Sequence, residues 1–241
     1  MKHHLCSATL LLILGALTGT AAAIAASADN DLIHSTTFAA PADFTDNFET
    51  TTPAQGVSEM KHDQHSDGHG IRKTGPGLQS SLLSRPAKTV SIENASITAR
   101  FRFATLLKGP SFGFWARVDT HTTTGYLGII SFDDPQNVRL RIFDSDSNPG
   151  KQSAGTLLKD EHIKITTALS TKVFYRGAFR VITTPAGEAS LSLQLSADDG
   201  TPLTNTLATD TTNPRLASGR TGVRIAGQTI VWDDFTLSRV K

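Results

Sequence analysis

The chain has 241 residues and a formal net charge of +1 at pH 7, with 38% hydrophobic and 19% charged residues. This is the composition of an ordinary globular chain, and the near balance of 23 basic and 22 acidic residues argues against a nucleic-acid partner. The single cysteine, Cys6, lies near the amino terminus. The rest of the chain therefore cannot form a disulfide and must be stabilised by burial of a hydrophobic core.

The first residues have the organisation of an export signal. A short polar start at Lys2 precedes an apolar run at 10–14 and then a series of small residues. We therefore predict a signal peptide over residues 1–28, cleaved after Ala26 or Ala28, and a secreted or periplasmic mature protein. An uncleaved membrane anchor is the alternative, but the apolar run is short for a membrane span. We expect no membrane-spanning segment in the chain that remains after cleavage.

The mature chain is predicted to form one domain. Residues 29–42 are polar and rich in small side chains, which indicates a flexible lead-in. The stretch 43–49 is predicted as the first strand, so that the domain occupies 43–241. Glycine and proline are frequent over 53–77, which predicts a loop with at most short strands.

Alternation of apolar and polar residues predicts strands through the middle of the chain. Apolar residues occupy every second position over 95–103, and the same period recurs in 112–118, 138–143 and 190–195. Turn-forming residues separate these stretches, and only 155–170 could include a helical turn. The predicted fold is all-β, a two-sheet antiparallel sandwich without an internal repeat.

The chain ends in a predicted hairpin with two adjacent carboxylates. Strand alternation places Val231, Asp233, Phe235 and Leu237 on one face of the last strand. Asp233 would then point the same way as three apolar side chains, where an unpaired charge is costly. Either backbone amides or a cation must therefore satisfy its carboxylate.

This end of the chain resembles that of a known superfamily. The sequence Gly-Arg-Thr-Gly-Val-Arg at 219–224, followed by Trp-Asp-Asp-Phe-Thr-Leu at 232–237, is similar to the close of many secreted bacterial domains of the concanavalin A-like lectin/glucanase superfamily, including laminin-G-like jelly rolls. The likeness extends backward through 112–118, 125–132, 138–143 and 189–195. It implies a jelly-roll sandwich of concanavalin A-like topology, a fold shared by lectins, hydrolases, lyases and adhesion modules.

The resemblance also implies a metal. Related sandwiches often hold a structural calcium between the first and last strands, with an aspartate of the last strand as ligand. The matching residue here is Asp233, and Asp46 and Glu49 are the further candidates. Calcium takes about six to eight oxygen ligands, which carboxylates and carbonyls together could supply. One structural calcium ion and the capping of backbone amides by Asp233 are the two interpretations.

The polar faces of the predicted strands are rich in arginine. If the apolar residues face the core, the opposite face collects Arg100, Arg102, Trp115, Arg117, Tyr126, Arg139 and Arg141. Guanidinium groups bind carboxylates and sulfates through paired hydrogen bonds, and an aromatic ring stacks on a sugar. The pattern predicts a groove for an acidic polysaccharide, with an ordinary solvated sheet face as the alternative.

A histidine-rich segment adds a second possible metal site. His62, His65 and His69 alternate with Asp63 and Asp67. The residue types suit a transition metal, but their spacing matches no zinc signature. A solvated polar loop is therefore the favoured interpretation.

Enzymatic signals are weak. Retaining glucanases of this fold carry a Glu-x-Asp-x-x-Glu strand, whereas every glutamate here is isolated. Lyases of related jelly rolls pair a tyrosine with a histidine beside arginine, and the residues of these types are Tyr126, Tyr175, His121 and His162. The lyase motifs themselves are absent. We therefore predict a secreted, non-catalytic, monomeric module that binds a polysaccharide or cell-surface glycan; a lyase or glycoside hydrolase on the same fold is the alternative.

Overall fold

The computed structural model describes most of the mature chain. The described residues are 30–50, 60–65, 68–73, 79–85, 91–106, 108–119, 124–145, 155–211, 218–227 and 230–241. The predicted signal peptide, 1–28, lies outside them. No helix in this part of the chain is long and apolar enough to cross a membrane.

Fifteen strands and one short helix make up the described residues. In chain order they are β1 (Asn30–Thr36), α1 (Pro41–Asn47), β2 (Phe48–Thr50), β3 (Met60–His65), β4 (Gly68–Lys73), β5 (Gln79–Ser84), β6 (Ala95–Phe103), β7 (Ser111–Val118), β8 (Gly125–Asp134), β9 (Asn137–Ser145), β10 (Thr156–Lys164), β11 (Tyr175–Thr183), β12 (Ala189–Ala197), β13 (Pro202–Asp210), β14 (Arg220–Ala226) and β15 (Ile230–Val240).

The strands form two antiparallel sheets that pack face to face. Sheet I has the order β13-β12-β11-β6-β15-β4-β3, and β1 also pairs with β15. Sheet II has the order β10-β9-β8-β7-β14-β5-β2. The prediction of an all-β, two-sheet antiparallel jelly-roll sandwich is confirmed. The predicted closing hairpin is wrong, because β14 and β15 lie in different sheets and the chain crosses the sandwich between them.

The core lies between the sheets and follows the predicted alternation. Ile97 of β6, Leu193 of β12 and Leu140 of β9 all point inward and are fully buried. Successive side chains of a strand point to opposite faces, so the intervening polar residues lie on the outside of each sheet. The period-two stretches of the sequence therefore identified the inward faces of these strands correctly.

An aromatic cluster closes one part of the core. The Trp232 ring lies 4.6 Å from that of Phe38, 5.3 Å from Phe48, 6.3 Å from Phe112 and 6.4 Å from Phe44, measured between centroids. All five side chains are at least 95% buried, and most pairs meet edge to face, the arrangement that aromatic rings favour. The cluster joins the segment before β2 to the last strand.

The amino-terminal lead-in differs from the prediction. Instead of a flexible connection over 29–42, β1 pairs with β15 in a register that runs from Asn30 opposite Val240 to Thr36 opposite Phe235. The apolar residues of this stretch contribute to the sandwich, since Phe38 is fully buried against Trp232. The folded unit therefore begins before residue 43.

The predicted first strand over 43–49 is also wrong, because this stretch begins as helix α1. Pro41 has the fixed φ that suits a first helical turn, and the Asp43 carboxylate accepts a hydrogen bond from the Ala40 amide at 2.9 Å. Phe44 and Phe48 lie four residues apart, so both pack into the core from one side of the turn. In a strand, Asp46 would have faced the core with them.

A bulge in β15 overturns the predicted facing of Asp233. The register against β6 shifts between Asp233 and Thr236, and Asp234 has a φ of 48°. Trp232 and Phe235 consequently both point into the core, whereas Asp233 lies on the outer face of sheet I opposite Arg100. The inserted residue changes the parity of the strand, as a β-bulge does.

Candidate functional site

The predicted arginine face is divided between the two sheets. Arg100 and Arg102 lie on the outer face of sheet I, in β6. Trp115, Arg139 and Arg141 lie on the outer face of sheet II, in β7 and β9. The five residues therefore lie on two opposite surfaces of the sandwich and do not line one groove.

Two of the predicted ligand-binding residues are buried elsewhere. Arg117 is 1% exposed, with Nε donating to the Glu93 carbonyl at 2.8 Å and Nη2 to Thr183 Oγ1 at 2.7 Å. Its burial lowers its pKa. Tyr126 points into the core and donates its hydroxyl hydrogen to Asp210 at 2.8 Å. Neither side chain is available to a ligand on the face of sheet II.

Arg139, Arg141 and Arg224, with Trp115 and their neighbours on the outside of sheet II, are called here the arginine face. Strand pairing sets Arg224 beside Gly113, Gly113 beside Ile129 and Ile129 beside Arg141. The two arginine Cα atoms are thus three strand spacings apart, about 14 Å. Both guanidinium groups reach the same pair of serines, because Arg224 Nη1 donates to Ser111 Oγ at 3.0 Å, Arg141 Nη2 donates to Ser131 Oγ at 3.4 Å, and Ser111 lies opposite Ser131 in the sheet.

The glycine at this position is required by the sheet itself. A Cβ built on Gly113 would lie 2.7 Å from the backbone oxygen of Gly128. Any side chain at this position would therefore press on the neighbouring strand.

Two guanidinium groups of the face are deprived of water and repel each other. Burial lowers the pKa of Arg224 to about 10, and the positive charge of Arg141 contributes in the same direction. Burial also lowers the pKa of Arg141, with a further contribution from Arg139. Two like charges in this environment favour a negatively charged ligand, because an anion offsets both the lost hydration and the repulsion.

The hydrogen bonding of Arg141 supports the same conclusion. Its Nη2 reaches Ser131 Oγ at 3.4 Å, and its Nε is buried without a hydrogen-bond partner. A buried polar atom without a partner is unusual and costs free energy. A carboxylate or sulfate oxygen on this face could satisfy it.

Trp115 lies on the predicted face but is not a stacking platform. Its side chain is 2% exposed, and its indole N–H donates to Ser81 Oγ at 3.3 Å. It packs with other buried apolar residues in a small cluster on this side of the sheet. The remaining members of that cluster are Leu83, Val118, Leu127, Ile129 and Phe143. Trp115 therefore supports the face from below rather than offering a free ring to a sugar.

The edge of the face towards β10 is more open. Arg139 forms two hydrogen bonds with Asp160, at 2.8 and 2.6 Å, and His162 Nδ1 lies 3.0 Å from Asp133. The side chain of Arg139 is 29% exposed and that of His162 is 56% exposed. Asp160 thus balances the charge of Arg139 at this edge.

The ion pair between Asp160 and Arg139 makes a pH-dependent contribution to the stability of the fold. The Arg139 hydrogen bond is the main reason that the pKa of Asp160 is lowered. A lowered folded-state pKa stabilises the fold above the unfolded pKa, about 4, and this contribution is lost as the pH decreases through the folded value. We expect Asp160→Asn to lower the free energy of unfolding by less than about 1 kcal/mol at pH 7. The difference from wild type should shrink near about pH 2.

Urea denaturation at both pH values measures this effect. The exposed Asp46→Asn variant is the matched control and should follow the wild type throughout. An equal loss of stability for Asp160→Asn at both pH values would show that the ion pair is not its cause.

Arg224 and Asp160 are functional candidates that the sequence did not reveal. Arg224 alternates with Val223 and Ile225, so its outward direction could be inferred. Its proximity to Arg141 depends on the order β14-β7-β8-β9, which a single sequence does not specify. Asp160 lies in a stretch that showed no period of two, since β10 contains a bulge between Leu157 and Lys159.

The predicted calcium ligands are not gathered in one place. Asp233 lies 3.7 Å from Arg100 and accepts a hydrogen bond from the Asp234 amide at 2.7 Å, in agreement with amide capping. Glu49, in the other sheet, pairs with Arg220 at 2.5 Å, and Asp46 is exposed on α1. In the described part of the chain no three His, Cys, Asp or Glu side chains are placed to hold a metal ion. These residues do not fit a calcium site.

Asp233 belongs instead to a network of ion pairs on the outside of sheet I. Arg100 makes two hydrogen bonds with Asp198, at 2.8 and 2.7 Å, and its guanidinium lies 3.9 Å from the centre of the Phe174 ring. Arg176 contacts Asp234 at 3.2 Å. The β15 bulge is therefore anchored by arginines of β6 and β11, which accounts for the two adjacent carboxylates.

The histidine-rich segment forms the β3–β4 hairpin. The rings of His62 and His69 stack with centroids 5.1 Å apart, and His62 Nε2 lies 2.6 Å from the Phe38 carbonyl oxygen. Asp63 pairs with Arg72. The side chain of His65 lies outside the described residues.

Comparison with known proteins identifies the fold and no family. No family model matches the chain, and no curated protein matches it in sequence. Solved structures that resemble it include the CBM2 module of the evolved Dit of Lactobacillus casei BL23 phage J-1, with 9% identity, 87% of this chain and 96% of that one covered, and a TM-score of 0.54.

Two further neighbours illustrate the range of proteins that share this architecture. The Ca²⁺-bound exoplasmic/lumenal domain of VIP36 is 12% identical, with 89% of this chain and 93% of that one covered and a TM-score of 0.54. The PL-14 alginate lyase of Aplysia kurodai is 8% identical, with 86% and 98% covered and a TM-score of 0.52. At these identities the likeness establishes the concanavalin A-like sandwich fold alone.

Proposed function

We propose that the chain is a non-catalytic carbohydrate-binding module whose arginine face binds acidic polysaccharide. The observation that carries this proposal is the convergence of two buried guanidinium groups, those of Arg141 and Arg224, on the paired residues Ser131 and Ser111. A carboxylate or sulfate of the polymer lies between them and accepts hydrogen bonds from both. Carbohydrate as the ligand class is proposed by analogy with two of the structural neighbours, the CBM2 module and the alginate lyase.

Three features of the arginine face support binding of an acidic polymer. The Arg141 Nε that lacks a partner donates to the anionic group, and such charge-assisted hydrogen bonds are the strong ones. The open edge at Arg139 and His162 leaves room for the polymer to continue along β9 and β10. The apolar cluster around Trp115 keeps the base of the face rigid.

The second candidate function is a polysaccharide-degrading enzyme. The contact between His162 and Asp133 beside Arg139 favours it, since a histidine oriented by a carboxylate can transfer protons. The tyrosines argue against a lyase of the Tyr/His type. The chain contains two tyrosines, Tyr126 and Tyr175, and both are buried away from the arginine face.

We also propose that the protein is exported from the cell. Residues 1–28 have the polar start, apolar run and small-residue end of a signal peptide, and the chain that follows contains no cysteine. A secreted or periplasmic, monomeric module is consistent with a glycan ligand outside the cell.

Calorimetry with alginate and laminarin tests the proposed function. We expect the protein to bind alginate, an acidic uronate polymer, about 100 times more tightly than neutral laminarin, because two charge-assisted hydrogen bonds of about 1.5–3 kcal/mol each are made only to alginate. Equal affinity for both polymers, or no binding to alginate, would contradict the proposal. New reducing ends, or absorbance from an unsaturated uronate, would show instead that the protein is an enzyme.

A further inference from the structure

A polar cavity lies at one end of the sandwich, apart from the arginine face. Its volume is about 300 Å³. Its walls are formed by the segment before β6, by Ser218 shortly before β14, and by the end of β15. The lining residues are Ser91, Glu93, Asn94, Ser218, Arg239 and Val240.

The walls of this cavity are held by backbone hydrogen bonds. Ile92 and Gly219 form an isolated bridge, with N···O distances of 3.2 and 3.3 Å. The Asn94 carbonyl accepts from the Val240 amide at 2.9 Å, and Asn94 Oδ1 accepts from the Thr183 amide at 2.8 Å. The cavity therefore has a fixed shape before any ligand arrives.

Arg117 supports the same walls from the interior. Its Nε donates to the Glu93 carbonyl, so a buried cation holds the segment that presents the Glu93 side chain. Arg117 has a φ of 50°, and a Cβ on Gly219 would lie 2.4 Å from the Arg117 carbonyl carbon. Backbone strain of this kind is concentrated at functional sites.

The side chains of the cavity offer both signs of charge. Glu93 and Arg239 are exposed and form no ion pair with the described part of the chain. Because Asn94 Oδ1 accepts from Thr183, its Nδ2 is the amide atom left to donate to a ligand. Ser91 and Ser218 hydrogen-bond to each other at the rim, at 2.7 Å.

We propose that this cavity binds one neutral sugar ring. A water molecule occupies about 30 Å³, so the cavity has room for about ten waters, close to the dozen or so non-hydrogen atoms of a hexose. Adjacent sugar hydroxyls donate to the two oxygens of Glu93, and Arg239 and Asn94 donate to other sugar oxygens. Because Glu93 and Arg239 carry opposite charges, the attraction of a net charge to one is offset by its repulsion from the other, and a net-neutral ligand is favoured.

The inference goes beyond the proposed function, because none of the lining residues belongs to the arginine face. The protein would then have two saccharide sites of different character. One takes an acidic polymer and is sensitive to salt, and the other takes a neutral ring through hydrogen bonds.

Amide NMR titration of the ¹⁵N-labelled protein tests this site. The probes are the methyl glycosides of glucose, mannose, galactose, xylose and N-acetylglucosamine. We expect at least one to shift the signals of Glu93, Asn94 and Arg239 in a saturable way. Glu93→Gln and Arg239→Gln should each weaken that sugar at least about tenfold, as the loss of one charged hydrogen bond implies. Glu188→Gln, outside the cavity, is the matched control and should leave the affinity unchanged.

Two outcomes would overturn the inference. One is the absence of saturable shifts at these residues with all five glycosides, and the other is equal affinity in wild type, Glu93→Gln and Arg239→Gln. Its failure is distinguishable from failure of the proposed function, since Glu93→Gln should leave alginate binding intact and Arg141→Gln should leave glycoside binding intact. Circular dichroism of each variant shows that the fold is retained.

Discussion

Trp232→Ala is expected to destabilise the protein more than any other change considered for this chain, by about 3–5 kcal/mol. The side chain is fully buried and its ring contacts those of Phe38, Phe48 and Phe112. Removing the indole forfeits the transfer free energy and leaves a cavity between two sheets that cannot collapse around it. The free energy of unfolding in urea measures the loss.

An exposed apolar residue provides the comparison. Leu207 is 63% exposed, so Leu207→Ala should change stability by less than about 0.5 kcal/mol. A loss below about 1 kcal/mol for Trp232→Ala would mean that the aromatic cluster does not join α1 and β2 to the last strand as described. The trend across the two variants therefore tests the assignment of the core.

The inward faces of the central strands were predictable from the sequence because burial imposes a period of two. Ile97, Leu140 and Leu193 all lie where the alternation placed them. The helix α1 was missed, since Phe44 and Phe48 satisfy a strand period and a helix period equally well. Here Pro41 was the informative residue, as its backbone suits a first helical turn.

Irregularities within strands explain most errors in the predicted sites. The bulge at Asp234 moves Asp233 to the outside of sheet I, where arginine satisfies it. The positive φ of Arg117 turns that side chain towards Thr183 instead of the arginine face. A single extra residue reverses the parity of everything that follows it, and composition alone does not reveal such a residue.

Strand order explains the remaining errors. Arg100 and Arg139 both alternate with apolar residues, yet one lies in sheet I and the other in sheet II. Arg141 and Arg224 are close enough to affect each other's pKa, although they belong to strands far apart in the chain. Local periodicity determines which way a side chain points within its strand, and long-range pairing determines its neighbours.

Replacing both Arg141 and Arg224 by glutamine is expected to weaken alginate binding by about 100-fold or more. Each guanidinium makes a charge-assisted hydrogen bond worth about 1.5–3 kcal/mol, and a tenfold change in affinity is about 1.4 kcal/mol. Glutamine keeps a hydrogen-bond donor, but it is shorter than arginine and carries no charge. Calorimetric titration of alginate into the double variant measures the effect.

A matched control variant separates the effect of losing charge on the arginine face from the effect of lowering the net charge of the protein. Arg102 lies on the outer face of sheet I, with its guanidinium over the Phe174 ring, so Arg102→Gln removes a positive charge away from the arginine face. This variant should bind alginate within about twofold of wild type, since distant exposed charges are screened by salt. A loss as large as that of the double variant would assign binding to net charge instead of the arginine face.

The salt dependence of alginate binding tests the central claim most directly, namely that two desolvated arginines recognise an anionic polymer. The Debye length decreases from about 30 Å at 0.01 M salt to about 3 Å at 1 M, so the long-range attraction between the polymer and the positive charges of Arg141 and Arg224 is screened over this range. The account predicts that the dissociation constant for alginate rises steadily across it in wild type, and hardly changes in the Arg141→Gln, Arg224→Gln double variant. An alginate affinity that is equal at both ends of the range in wild type would contradict it.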